Sequence, residues 1–100
     1  GGYVLDKGEK VGNQRPSVDV LFSSAAEQYG AETLGILLTG MGRDGADGCV
    51  AIKANGGYTI CQDEATSAIF GMPKAAIEVK GASKVLPLPD IATFLQNLTE

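Results

Sequence analysis

The chain has 100 residues, 44% of them hydrophobic, which is enough for one domain with a modest core and no more. A net charge of −4 and a pI near 4.7 leave no basic stripe for a phosphate backbone, and no apolar run reaches bilayer length, so nucleic acid and membrane insertion are excluded. Histidine is absent, so neither a Ser/His/Asp or Cys/His arrangement nor a histidine metal site can be completed within these residues, and no cofactor or metal is expected.

Cys49 and Cys61 stand apart, without a CxxC spacing, and read as reduced thiols of a cytoplasmic protein. Nothing at the N-terminus has the pattern of a signal peptide.

In chain order, "YVLDKGEKV" (Tyr3 to Val11) alternates around Lys7-Gly8-Glu9 and reads as a short hairpin or edge ribbon. Ser17 is a candidate N-cap for a helix in which Val18, Leu21, Phe22 and Ala25 recur at helical spacing, and Gly30 stops it. "TLGILLT" (Thr33 to Thr39) is short and continuously apolar, as in a strand buried on both faces. A helix is expected from about Asp44 to Asn55, ended by Gly56 and Gly57. "YTICQ" follows as a strand, and "DEATSAIFG" as a loop with a helical turn. Pro73 opens a helix that Gly81 closes, "KVLPL" is a third strand, and "PDIATFLQNL" is a final helix with Ile91, Phe94, Leu95 and Leu98 on one side. Strands alternating with helices imply an α/β fold with a parallel sheet and right-handed crossovers. Three short strands make a thin sheet, as in the C-terminal portion of a larger α/β domain.

The densest signal is "ILLTGMGRDGADG" (Ile36 to Gly48), where a buried strand runs into a glycine loop that opens a helix. Open α/β sheets place ligand sites at such strand ends. Three readings compete. Asp44 can cap the helix, the commoner use of an aspartate before an apolar helix. Alternatively Gly40, Gly42 and Gly45 fit G-x-G-x-x-G literally, a nucleotide-binding module with Asp63 placed to meet a ribose. Against that, Asp44 would put a carboxylate where the pyrophosphate must bind. The third reading makes Asp44 a working carboxylate that orients a histidine, while the glycines free the backbone N–H groups around Met41 to face an oxyanion. It requires a histidine that these residues lack. "DEATS" can be a polar turn or part of a substrate groove. Met41 and Met72 can line an apolar groove, and Arg43 and Lys74 can meet an acidic surface or simply be solvated.

Taken together, "RPSVDVLFSSAA", "ILLTGMGRDGADG", "GGYTICQDEATSAIFGMPKAAIE" and "VLPLPDIA" resemble the catalytic domain of chemotaxis-type protein-glutamate methylesterases, from about Arg15 to Ala92. The resemblance implies a doubly wound, mostly parallel sheet with flanking helices. It also implies demethylation of glutamyl methyl esters on chemoreceptors, with glutamine deamidation in some members. A Ser/His/Asp triad follows from it, with Asp44 as the aspartate and the Met41 backbone N–H in the oxyanion hole. The family's serine and histidine belong to segments upstream of any here. Ser17 reads as a cap, Ser23 and Ser24 as helix interior, and Ser67 as part of "EATS". The resemblance therefore marks the chain as the C-terminal part of the catalytic domain, without the upstream half or a receiver domain. Such a piece is expected to be inactive alone and to self-associate through its exposed strand edge.

Overall fold

The computed structural model describes residues 2–6, for their backbone, and 17–98. The turn of the expected hairpin, Lys7 to Glu9, lies outside them. The elements are β1 (Gly2–Asp6), α1 (Val18–Tyr29), a single 3-10 turn (Gly30–Glu32), β2 (Thr33–Leu37), α2 (Ala46–Ala54), β3 (Tyr58–Gln62), α3 (Met72–Glu78), β4 (Lys84–Leu86) and α4 (Leu88–Leu98).

The sheet has four strands in the order β1-β2-β3-β4, and every neighbouring pair is parallel. Three strands were expected, and the fourth is β1. It pairs with β2 from Gly2 against Thr33 to Asp6 against Leu37, so the first part of the segment expected as a hairpin or edge ribbon is an outer strand of the parallel sheet. The central strands need cover on both faces, and they receive it. Leu37 and Cys61 pack in one core with Val18, Phe22, Ile52, Met72 and Ala76, so α1, α2 and α3 share a face. Leu34, Ile36 and Ile60 point the other way, onto Ile91 of α4 with Phe94 and Leu95 beside it. Side chains alternate along a strand, so a run that is apolar throughout feeds both layers. Each fully buried Ile or Phe contributes about 1.5–3 kcal/mol relative to exposure.

Several boundaries depart from the sequence reading. Helix α2 starts at Ala46, two residues later than expected, because its N-cap Gly45 sits at φ 102°, a left-handed conformation that cannot be helical. A side chain there would also meet Leu37 and Val18, at 2.8 and 3.1 Å. Helix α3 ends at Glu78, and Lys80 (φ 61°), not Gly81, takes the left-handed turn. Leu98, expected on the apolar side of α4, is exposed, as is Leu21 of α1. Cys49 and Cys61, distant in sequence, share the helical core; both are free and buried. The interaction with the Cys61 thiol, and then burial, push the Cys49 thiol up.

Gly48 lets α1 and α2 pack closely. A Cβ there would lie 2.6 Å from Phe22 Cβ and 3.2 Å from Asp19 Cα, atoms fixed to the α1 backbone. Gly48→Ala is therefore expected to destabilise the fold. The helix-propensity gain is about 1 kcal/mol, while overpacking a buried contact costs about 1–3 kcal/mol. A lower melting midpoint by circular dichroism is the expected result, and a variant as stable as the parent would show that the two helices separate freely.

Candidate functional site

Parallel strands deliver their following loops to one edge of the sheet. Two such loops meet here, Leu38–Gly45 after β2 and Asp63–Gly71 after β3.

Asp44 is half-buried, and both carboxylate oxygens are engaged. Oδ2 accepts the Val18 backbone N–H at 2.8 Å, and Oδ1 accepts that of Asp19 at 3.0 Å. Asp44 thus caps a helix, but not the one it precedes. It satisfies the first amides of α1, while Ser17 Oγ accepts the third, Val20, at 3.0 Å. The α2 terminus is served in return. Oδ1 of Asp19 accepts the backbone N–H groups of Gly45, at 2.9 Å, and Gly48, at 2.8 Å. Two helices therefore exchange carboxylates at their N-termini, where the macrodipole favours negative charge. Replacing such a cap by alanine costs about 0.5–2 kcal/mol.

Asp19 was not singled out in the sequence. The available signal was indirect: a helix opened by glycine has no capping side chain of its own, so the acceptor must come from elsewhere. The same contact bears on the nucleotide reading, since the Gly45 and Gly48 amides that would receive a pyrophosphate are held by Asp19. It is Asp19, not Asp44, whose carboxylate occupies that terminus. Asp63, assigned there to a ribose, instead accepts from the Thr66 backbone N–H (3.0 Å) and hydroxyl (2.6 Å).

The other end of the loop is strapped to the chain after β3. Buried Gln62, the last residue of β3, accepts the Thr39 N–H at 2.8 Å and donates to the Thr66 carbonyl at 2.7 Å. The Thr39 hydroxyl pairs with both backbone groups of Ile69, donating at 2.9 Å and accepting at 2.8 Å. Gly40 donates to the Ile69 carbonyl at 2.9 Å, and its own carbonyl accepts from Gly71 (3.0 Å) and Met72 (2.9 Å). Met41 follows with its side chain 78% exposed, and its backbone N–H has no hydrogen bond among the described residues. Met72 is buried in the helical core, away from any shared groove with Met41. Arg43 and Lys74 are exposed.

The arrangement thus presents a carboxylate fixed by backbone amides and, three residues before it, an amide N–H with no hydrogen bond among the described residues. Among the described residues the serines serve structure: Ser17 is an N-cap, Ser23 and Ser24 lie within α1, the Ser67 hydroxyl donates to the Asp63 carbonyl at 2.7 Å, and the Ser83 hydroxyl accepts the Thr59 N–H at 2.9 Å. Among the described residues no cluster of three His, Cys, Asp or Glu side chains is placed to hold a metal ion, and no helix is long and apolar enough to cross a membrane.

Residues 3–95 match the profile of the CheB methylesterase family. A protein-glutamate methylesterase/protein-glutamine glutaminase of Carboxydothermus hydrogenoformans is 64% identical over 77 residues, covering 77% of this chain and 23% of that protein. One from Anaeromyxobacter dehalogenans is 58% identical over 85 residues, covering 85% of this chain and 25% of the relative. The crystal structure of the Thermotoga maritima CheB methylesterase catalytic domain superposes with a TM-score of 0.79 at 44% identity, covering 93% of this chain and 49% of that one. The chain therefore spans about a quarter of the length of these curated relatives and about half of the solved catalytic domain. On its sequence and its α/β sheet alike, the chain belongs to the CheB methylesterase family.

Proposed function

We propose that this chain supplies the aspartate and one oxyanion-hole donor of a protein-glutamate methylesterase that acts, in the cytoplasm, on methylated chemoreceptors and deamidates receptor glutamines. Asp44 is the third member of a Ser/His/Asp triad, and the Met41 N–H is the donor. The observation that carries the reading is the pinned Asp44 carboxylate at the carboxyl edge of β2, three residues beyond an unbonded amide. The serine and histidine come from the upstream half of the catalytic domain, and a receiver domain is a further partner of the parent protein.

The chemistry follows from the roles. A serine oxygen attacks the glutamyl ester carbonyl while histidine takes its proton, and Asp44 holds that imidazole in the required tautomer and stabilises its charge. The carbonyl oxygen becomes an oxyanion facing the Met41 amide, a donor that needs no rearrangement as charge develops. Methanol leaves, taking the proton back from histidine, and water then hydrolyses the acyl-enzyme by the same route. Because both Asp44 oxygens already accept an amide, the carboxylate cannot swing, and histidine must use a remaining lone pair.

In the intact enzyme, Asp44→Asn is expected to lower turnover by about 10⁴ if it behaves like other triad aspartates. Asparagine has one acceptor oxygen where two are in use, so stability should also fall, by about 1–3 kcal/mol for the amide left unpaired. Asp47→Asn, at an exposed position in the first turn of α2, is the control and should change turnover little. Equal small effects of the two substitutions would reduce Asp44 to a cap.

This chain alone is expected to hydrolyse no glutamyl methyl ester. Methanol release above background from the pure chain would contradict the division of the triad. The chain alone is also expected to self-associate. Its outer strands each have one partner among the described strands, and Val85 and Leu88 are exposed near the β4 edge. Sedimentation equilibrium should give a dimer or larger, and a monomer at high concentration would refute this.

A further inference from the structure

The function proposed above needs the Met41 N–H to point at a developing charge, and nothing in Met41 itself determines that direction. The peptide that joins Gly40 to Met41 is planar and trans, so its C=O and N–H point to opposite sides. The Gly40 carbonyl is held by two donors, the Gly71 and Met72 amides at the start of α3. Fixing the carbonyl toward α3 turns the Met41 N–H away from it.

We infer that the segment Ile69–Met72 is the positioning element of the oxyanion donor, and that Gly71 is the residue on which its accuracy depends. A Cβ at Gly71 would lie 2.8 Å from the Gly40 carbonyl oxygen and 2.9 Å from the Gly42 nitrogen. Both are backbone atoms flanking Met41, so the loop has to shift. The conformation itself does not demand glycine, since Gly71 sits at φ −87° and ψ −63°, open to any residue. Glycine is required there by the peptide it touches. Upstream, the Thr39 hydroxyl clamped on Ile69 and the Gln62 amide on the Thr39 N–H keep the same segment in line. None of these groups touches the reacting atoms; they act through one peptide plane.

The sequence contains two methionines, so ¹⁵N-methionine labelling of this chain reports two amides, Met41 and Met72, one unbonded and one bonded to Gly40. In Gly71→Ala both resonances are expected to move, while backbone amides of α1 capped by Asp44 keep their hydrogen-exchange protection. In the intact enzyme the same substitution should lower kcat by the order of 10², the effect of losing one oxyanion donor, with KM within about twofold. An unmoved Met41 resonance, an unchanged kcat, or a rise in KM at constant kcat would each overturn the inference. If Gly71→Ala does not fold, Thr39→Val decides: it keeps the side-chain shape, removes the clamp on Ile69, and should shift Met41 and reduce kcat. No effect on either would be equally fatal. Should the unmodified intact enzyme release no methanol, the functional reading fails, and the Met41 resonance alone judges the positioning role.

Discussion

The exchange of carboxylates between α1 and α2 is the constraint on which the rest of the site depends. A helix N-terminus exposes amides that must find acceptors, and here each helix meets that need with an aspartate from the neighbourhood of the other. The arrangement ties the position of Asp44 to the relative placement of two helices, not to a loop. Gly48 makes it possible, since the helices must be nearly in van der Waals contact for one carboxylate to span from Asp19 to two α2 amides. The stability of the helix pair and the placement of the Asp44 carboxylate are thus served by one set of bonds.

The opposite end of the glycine loop is governed by different physics. There the fixing groups are neutral: an amide side chain, a hydroxyl and backbone dipoles, arranged so that the loop after β2 is paired with the loop after β3. The isolated bridge between Gly40 and Phe70 is in effect a continuation of the parallel sheet past the end of the strands. Charge thus holds the aspartate end and backbone pairing the amide end. Gly42, at φ 89° and with open space around it, lets the chain turn between them.

Most of the layer structure was legible in the sequence because it follows from local pattern. A continuous apolar run marked β2, "YTICQ" read as the strand β3, Ser17 marked the start of α1, and Pro73 the start of α3. The family words identified Asp44 and Met41 as the residues to watch. Which helix Asp44 serves was not legible, since a cap is local in the usual case and here it bonds 25 and 26 residues away. Asp19, Gln62 and Gly71 escaped notice for the same reason: their partners are backbone groups of a distant loop, and backbone acceptors carry no sequence signal. The parallel pairing of β1 was hidden because a short alternating stretch beside a turn motif is the pattern of a hairpin too.

The strand order has a kinetic consequence. Every described strand pairs with the next one in the chain, so each pairing waits for a single intervening crossover. The entropy of closing each crossover grows only logarithmically with its length, and three crossovers of similar size present similar barriers. A fold of this kind can grow from β2 and β3 outward, one β-α unit at a time, with the Asp19–Asp44 contact closing as soon as α1 and α2 are both in place. Partners in the sheet still lie far apart in sequence, as Gly2 and Thr33 do, and parallel pairings across whole crossovers form more slowly than the local contacts of a helical bundle.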